Sequence, residues 1–301
     1  MITPPYLKAG DKIAIVSTAR KVTADEMNPA VELLQQWGLE VVFGKNLFNQ
    51  LNQFAGTDED RTEDFQDALD DTSVNAILFA RGGYGTVRII DKIDWTAFKQ
   101  NPKWLIGFSD VTVTHSNVHK HLGIETIHAP MAFNLPKASN DVKLKFNEVL
   151  FGKKIQYNIP ENIYADINRN GEATGELVGG NLSILYSLLG SSSSIDTIGK
   201  ILFLEDLDEY LYHIDRMMMA LKRAGKLYKL AGLIVGGMND MKDNKVRFDK
   251  TAEEIISEAV SEYSFPVLYG FPAGHIRNNM PLIMGRKISM NVNVDASVSF
   301  G

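Results

Sequence analysis

Four short segments carry side chains whose types and spacing could do chemistry. Gly107-Phe-Ser-Asp-Val111 puts a serine where an apolar run gives way to a helical pattern. On a tight turn at that point, Ser109 Oγ would stand above the C-terminal edge of a sheet, and free N–H groups of the following helix could stabilise an oxyanion. Gly107 lets such a turn close, while the second glycine of a regular G-x-S-x-G elbow is Val111 here. The same serine also suits a plain helix N-cap, with Asp110 favourable to the helix dipole. Arg81-Gly-Gly-Tyr-Gly85 follows a second apolar run. Its glycines permit positive φ and close backbone approach, which suits an anion cradle, an oxyanion site or an ordinary strand–helix turn. It fits neither G-x-G-x-x-G nor the P-loop. Leu204-Glu-Asp206 ends a third run. Acids there line the crevice of open α/β sheets, and a glutamate could orient an imidazole; with Asp208 and Glu209 following, a solvated loop is the other option. His275 closes Phe271-Pro-Ala-Gly-His275, a loop able to present either a base or an ordinary surface histidine.

His115 and His119 have the i,i+4 spacing of a helical zinc pair, with His121 and His128 nearby. The residue after the first histidine is Ser116, so the glutamate that a zincin uses as its base is missing. These histidines are expected to pack a helix face, as is the run Met217 to Met219.

Elements must hold these side chains in place. Short buried-strand patterns at 12–17, 40–43, 75–80 and 103–108 alternate with helical ones, of which the first opens on a Thr23–Glu26 capping box. Such alternation predicts an α/β fold with a doubly wound, mostly parallel sheet in an N-terminal domain, 1–135. The pattern loosens over 136–170, read as a connecting region. A smaller, mixed α/β C-terminal domain, 171–301, is expected to carry strands at 200–205, 230–235 and 266–269 and an antiparallel tail.

The composition bounds the function. The chain has 301 residues, 45% hydrophobic and 23% charged, with 31 Lys+Arg against 37 Asp+Glu and a net charge of −6. Those values exclude a disordered or fibrous chain, and an acidic chain without a basic block is unsuited to nucleic acid. There is no cysteine, so disulfides, thiolate metal sites and a cysteine nucleophile are excluded. No signal-like or membrane-spanning run is visible, and a cytoplasmic protein is expected.

Taken in order, the motifs resemble one family. Arg81-Gly-Gly-Tyr-Gly85, Gly107-Phe-Ser-Asp-Val-Thr112, His128-Ala-Pro-Met131, Gly175-Glu-Leu-Val-Gly-Gly-Asn-Leu-Ser183, Leu202-Phe-Leu-Glu-Asp206 with Ile214-Asp-Arg216, and Gly274-His275 with Asn279 and Gly285 look like the serine LD-carboxypeptidases. That group holds muramoyltetrapeptide carboxypeptidases and microcin C immunity peptidases, and the likeness runs from about Leu7 to the C-terminus. It implies a Ser-Glu-His triad of Ser109, Glu205 and His275. It further implies an oxyanion hole from the Asp110 amide with Gly82 or Gly83, and no metal or organic cofactor. Arg81, Tyr84, Asn181 and Arg216 are candidate substrate contacts, although internal ion pairs and packing would also suit the arginines and Tyr84. The implied substrate is a small muropeptide, L-Ala-D-Glu-diamino acid-D-Ala, from which terminal D-Ala is released in peptidoglycan recycling. The active site is expected in the cleft between the two domains, whose closure could assemble the triad, and the group implies a homodimer. Leu282-Ile-Met-Gly285 stands where the family often has Leu-Pro-Leu-Gly, and Ser191 to Ser194 replaces a loop that often carries Thr-Pro-Tyr. Immunity-type members, which cleave acyl-adenylate toxins, tend to carry an aromatic-bearing insertion that is not obvious here. A non-catalytic nucleotide or sugar-phosphate binding protein using the glycine loop is the alternative of another class.

Overall fold

The structure, a computed structural model, describes residues 1–160, 163–293 and 295–301; residues 161 and 162, inside the expected connection, and 294, in the C-terminal tail, lie outside the described residues. In chain order the N-terminal part runs β1 (Lys12–Val16), α1 (Ala24–Gln36), β2 (Glu40–Phe43), α2 (Asp58–Asp70), β3 (Val74–Phe79), α3 (Thr96–Gln100), β4 (Trp104–Gly107), α4 (Thr112–His121), β5 (Thr126–His128) and α5 (Asn140–Leu150). There follow β6 (Gln156–Ile159), β7 (Gly171–Asn181), α6 (Leu182–Ser187), β8 (Ile201–Leu207), α7 (Leu211–Arg223), β9 (Gly232–Asn239), α8 (Ala252–Ala259), β10 (Val267–Leu268), β11 (Leu282–Met284), β12 (Lys287–Val292) and β13 (Ala296–Phe300).

The expected α/β class is the one observed. Strands β2-β1-β3-β4-β5 form a parallel sheet, with β11 antiparallel on the β5 edge. Alternate residues of β1 feed opposite cores: Ile13 and Ile15 pack with α1 and α5 residues, Ala14 and Val16 with α2 and α4 residues. Helices on both faces are what a buried parallel sheet requires. Capping boxes at Thr23–Glu26 and Thr57–Asp60 start α1 and α2 by satisfying their first N–H groups.

The second sheet has the order β10-β9-β8-β7-β12-β13-β6. Its β7 to β10 part is parallel, and β12, β13 and β6 add antiparallel pairs. One face is covered by α6, α7 and α8, where Met217 and Met218 are buried and Met219 is exposed. The other face joins the core of the first sheet: Ile13, Ile127, Phe146, Phe203, Leu282 and Ile288 belong to one continuous apolar cluster. Two segments cross between the sheets. β6, from within the 136–170 region, edges the second sheet, and β11 returns to the first. Among the described residues, no helix is long and apolar enough to cross a membrane.

Candidate active site

Each of the four chemical segments lies at the C-terminal end of a parallel strand or in the loop that follows it, two segments in each sheet, so the topology delivers them to the C-terminal edges of both sheets. β4 ends at Gly107 and a single 3-10 turn, Ser109–Val111, leads into α4. Ser109 holds φ at 63°, in the left-handed region that an L side chain enters rarely and that recurs at active sites. The turn closes because Gly107 lacks a side chain: a Cβ there would lie 2.8 Å from Val111 Cγ2. The valine that stands in for the second elbow glycine occupies the space left by the first.

Ser109 caps neither the turn nor α4. Its Oγ lies 3.0 Å from His275 Nε2. His275 Nδ1 lies 2.7 Å from Glu205 Oε2, and the His275 backbone N–H donates to the same oxygen at 3.1 Å. A carboxylate can only accept, so the proton sits on Nδ1 and Nε2 is free to receive one from Ser109. This arrangement exists without any closing movement, because the shared core and the β5–β11 pairing already hold the two sheets together.

Close backbone packing brings the histidine loop to the glutamate. Between Leu204↔Val235 and Asp206↔Met238 the β8–β9 register shifts, leaving Gly236 and Gly237 opposite Glu205. Gly237 N–H donates to Ala273 O at 2.9 Å, and any Cβ on Gly236 would collide with that carbonyl. Gly274, at φ 110°, lies so near that its Cβ would fall 2.8 Å from Glu205 Oε2. Asn279 Oδ1 then accepts from the Gly274 N–H at 2.8 Å and lies 3.1 Å from His128 Nε2. Phe108 packs against His275 in a tilted arrangement, 4.8 Å between ring centroids.

The neighbours of Ser109 tie the site together. Asp110 points away from the cleft and accepts from Thr86 N and Oγ1 at 2.9 and 2.6 Å, which pins the end of the glycine loop. Thr112 Oγ1 accepts from Asn181 N at 3.1 Å, which pins the end of β7. Asp206 accepts from Asn181 Nδ2, Ser183 N and Leu207 N, each at 2.9 Å.

Burial and charge compete at Glu205, His275, Asp206 and His128. Burial pushes the Glu205 carboxyl up, but the charge of His275 and its hydrogen bonds outweigh this and hold it below the ordinary range. Burial pulls His275 down, yet the Glu205 charge and hydrogen bond leave it above 6.5. Burial, then the Glu205 charge, push Asp206 up to about 7. Burial brings His128 down to about 4, so it is neutral near pH 7.

Ser109 and His275 open onto a cleft of about 600 Å³ between the sheet edges. A second hollow of about 430 Å³ continues past Phe108 and His275. Gly82 lies beside Ser109: a Cβ there would meet Ser109 Oγ at 3.2 Å. Gly83 lies instead against Arg20. Arg81 lines the cleft with its guanidinium 4.3 Å over the Phe133 ring. Asn181 also lines it while N-capping α6. Tyr84 and Arg216 are not among the cleft-lining residues. Tyr84 packs beside Phe54, and Arg216 stacks over Tyr212 on its own helix.

The profile of the LD-carboxypeptidase N-terminal domain matches residues 13–129, and that of the LD-carboxypeptidase C-terminal domain matches 174–290. The probable murein peptide carboxypeptidase of Bacillus subtilis is 34% identical over 306 residues, covering 99% of this chain and 96% of its own. The chain belongs to the LD-carboxypeptidase family. Its fold matches the crystal structure of muramoyltetrapeptide carboxypeptidase from Oxalobacter formigenes with a TM-score of 0.87 at 26% identity, covering 96% of this chain and 98% of that one. The microcin C7 self-immunity protein MccF of Escherichia coli is 25% identical over 324 residues, covering 95% of this chain and 92% of its own.

In this LD-carboxypeptidase the paired histidines of α4 are occupied elsewhere. His115 Nε2 lies 2.9 Å from Gly107 O, and His119 Nε2 lies 3.0 Å from Thr126 Oγ1. Burial takes His115 down to about 3. Among the described residues no group of three or more His, Cys, Asp or Glu could hold a metal ion. Arg20 was not singled out by sequence, although it lines the cleft. Its signal is its position: it follows the end of β1, as Arg81 follows β3.

Proposed function

We propose that this LD-carboxypeptidase is a serine hydrolase that releases terminal D-Ala from muropeptide tetrapeptides by cleaving the amide between an L-configured centre and the D-residue. The observation that carries the proposal is the hydrogen-bonded line from Ser109 Oγ through His275 to the buried Glu205. Ser109 Oγ attacks the scissile carbonyl as His275 Nε2 takes its proton. Glu205 holds the Nδ1–H tautomer and stabilises the imidazolium. The oxyanion lies against the Asp110 amide and, because it adjoins Ser109 Oγ, the Gly82 amide in preference to that of Gly83. His275 then protonates the D-Ala amine as the C–N bond breaks. Water, deprotonated by His275, attacks the acyl-enzyme and restores Ser109. The relatives named for murein peptides support this substrate class.

The domain division 1–135 and 171–301, with the nucleophile on the first part and Glu205 and His275 on the second, is part of the same proposal. So are a cytoplasmic location and a homodimer, which light scattering on the purified protein would check. Similarity to the microcin immunity protein supports a second reading, cleavage of acyl-adenylates by the same three residues. Parallel assays separate the two. Release of D-Ala from the tetrapeptide, with slower or no cleavage of an aminoacyl sulfamoyl nucleoside, is expected; the reverse preference would replace the murein reading with the second.

A further inference from the structure

The cleft contains acids and arginines, but their partners differ. Asp206 is held by three N–H donors. Asp208 Oδ1 lies 2.6 Å from Lys242 Nζ, and Glu209 Oε2 lies 2.6 Å from His213 Nδ1. Every carboxylate on that wall is therefore already engaged. In the same cleft, Arg20 makes no side-chain hydrogen bond or ion pair among the described residues. Arg81 has only a 3.9 Å contact to Glu26, beside its stacking on Phe133. The charge left without a partner in the cleft is thus positive.

Its position is fixed by the glycine loop. Gly82 lies beside Ser109, where a Cβ would fall 3.2 Å from Oγ, and the next residue, Gly83, at φ 114°, lies against the Arg20 side chain, so that a Cβ there would fall 2.6 Å from Nε. The Cα atoms of the two glycines are one residue step, about 3.8 Å, apart. A peptide whose carbonyl is at Ser109 would bring a neighbouring carboxylate within reach of the guanidinium fork, which suits bidentate recognition.

Resting on the hydrolase reading above, we propose that Arg20, backed by Arg81, binds a carboxylate of the peptide substrate and sets specificity for the acid over the amide. Two carboxylates could supply this chemistry: that of the departing terminal residue and the free one of D-Glu within the stem.

The test uses the full-length protein and three peptides: the tetrapeptide, its C-terminal carboxamide, and the form amidated at the free D-Glu carboxyl. For Arg20→Ala, kcat/KM on the tetrapeptide is expected to fall about 10- to 100-fold, with partial recovery in Arg20→Lys. The fall should vanish on one of the two amides. Loss of preference against the carboxamide assigns the terminal carboxylate; loss against the other amide assigns the stem. An acid-over-amide preference unchanged in Arg20→Ala, or lost instead when Arg277, which lines the second hollow, is replaced in Arg277→Ala, overturns the proposal. Absence of D-Ala release by the unaltered protein counts against the hydrolase reading alone. Calorimetric binding of the same peptides to Ser109→Ala, with and without Arg20→Ala, then judges Arg20 separately, and equal affinities would refute its role.

Discussion

His275 is held between two opposing effects, and its activity should display the balance. Burial favours the neutral ring, while Glu205 favours the charged one and prevails, raising the pKa above 6.5. Ser109 can be deprotonated only by the neutral ring. The rate should therefore fall as pH drops through a midpoint above 6.5, and kcat/KM against pH checks this. Glu205→Gln removes the charge, so the midpoint should move down while kcat falls by up to about 10⁴-fold, as loss of an orienting carboxylate does elsewhere. A midpoint unmoved by that substitution would mean that Glu205 does not set the protonation of His275. At this scale much was legible in the sequence. Ser109 and His275 follow strand ends and Glu205 lies near the end of β8, where side-chain type alone narrows the options. The contributions of His128, Asn279 and Arg20 were less visible, because they depend on partners 151 residues apart in the first case and on an absence of partners in the last. Tyr84 and Arg216 sit in the right motifs, yet their rings and guanidinium face Phe54 and Tyr212. A motif records a position along the chain, not the direction in which a side chain leaves it.

The turn between β4 and α4 has its own logic. Gly107 and Val111 share one volume, 2.8 Å being far below a carbon–carbon contact. Gly107→Ala should displace Ser109, lowering kcat at least tenfold and costing about 1–3 kcal/mol by overpacking. Val111→Gly in the same chain should restore both, since the glycine has only changed places within the turn. Rates and urea midpoints for the two variants test this, and no rescue by the double substitution would contradict it. The strand–helix alternation that places this turn was readable from apolar runs and capping boxes. The short strands were harder: β6 and β11 have four and three residues, too few for periodicity to speak. The bulge at Gly236-Gly237 carries β9 on to Asn239, beyond the 230–235 run that apolar residues mark. Two glycines in a strand are the trace such a bulge leaves.

Across the whole molecule, the two sheets share one core, and the hydrogen-bonded line from Ser109 through His275 to Glu205 spans both. A common core predicts one cooperative unfolding transition. All three tryptophans, Trp37, Trp95 and Trp104, lie in the N-terminal part, so their fluorescence reports on the first sheet, while far-ultraviolet circular dichroism reports on both. Coincident denaturation curves are expected. Separate midpoints would mean that the sheets unfold independently and that the assembled site depends on their docking. The two-part α/β plan was legible in the sequence, but the crossing of β6 and β11 between sheets was not, since their partners lie far away along the chain.

The most direct test of the central claim is D-alanine release from purified tetrapeptide muropeptide, comparing the unaltered protein with Ser109→Ala, each with and without EDTA. Release that withstands EDTA and is lost in a folded Ser109→Ala protein is the predicted result. Release that persists in Ser109→Ala, or no release from the folded unaltered protein, would contradict it.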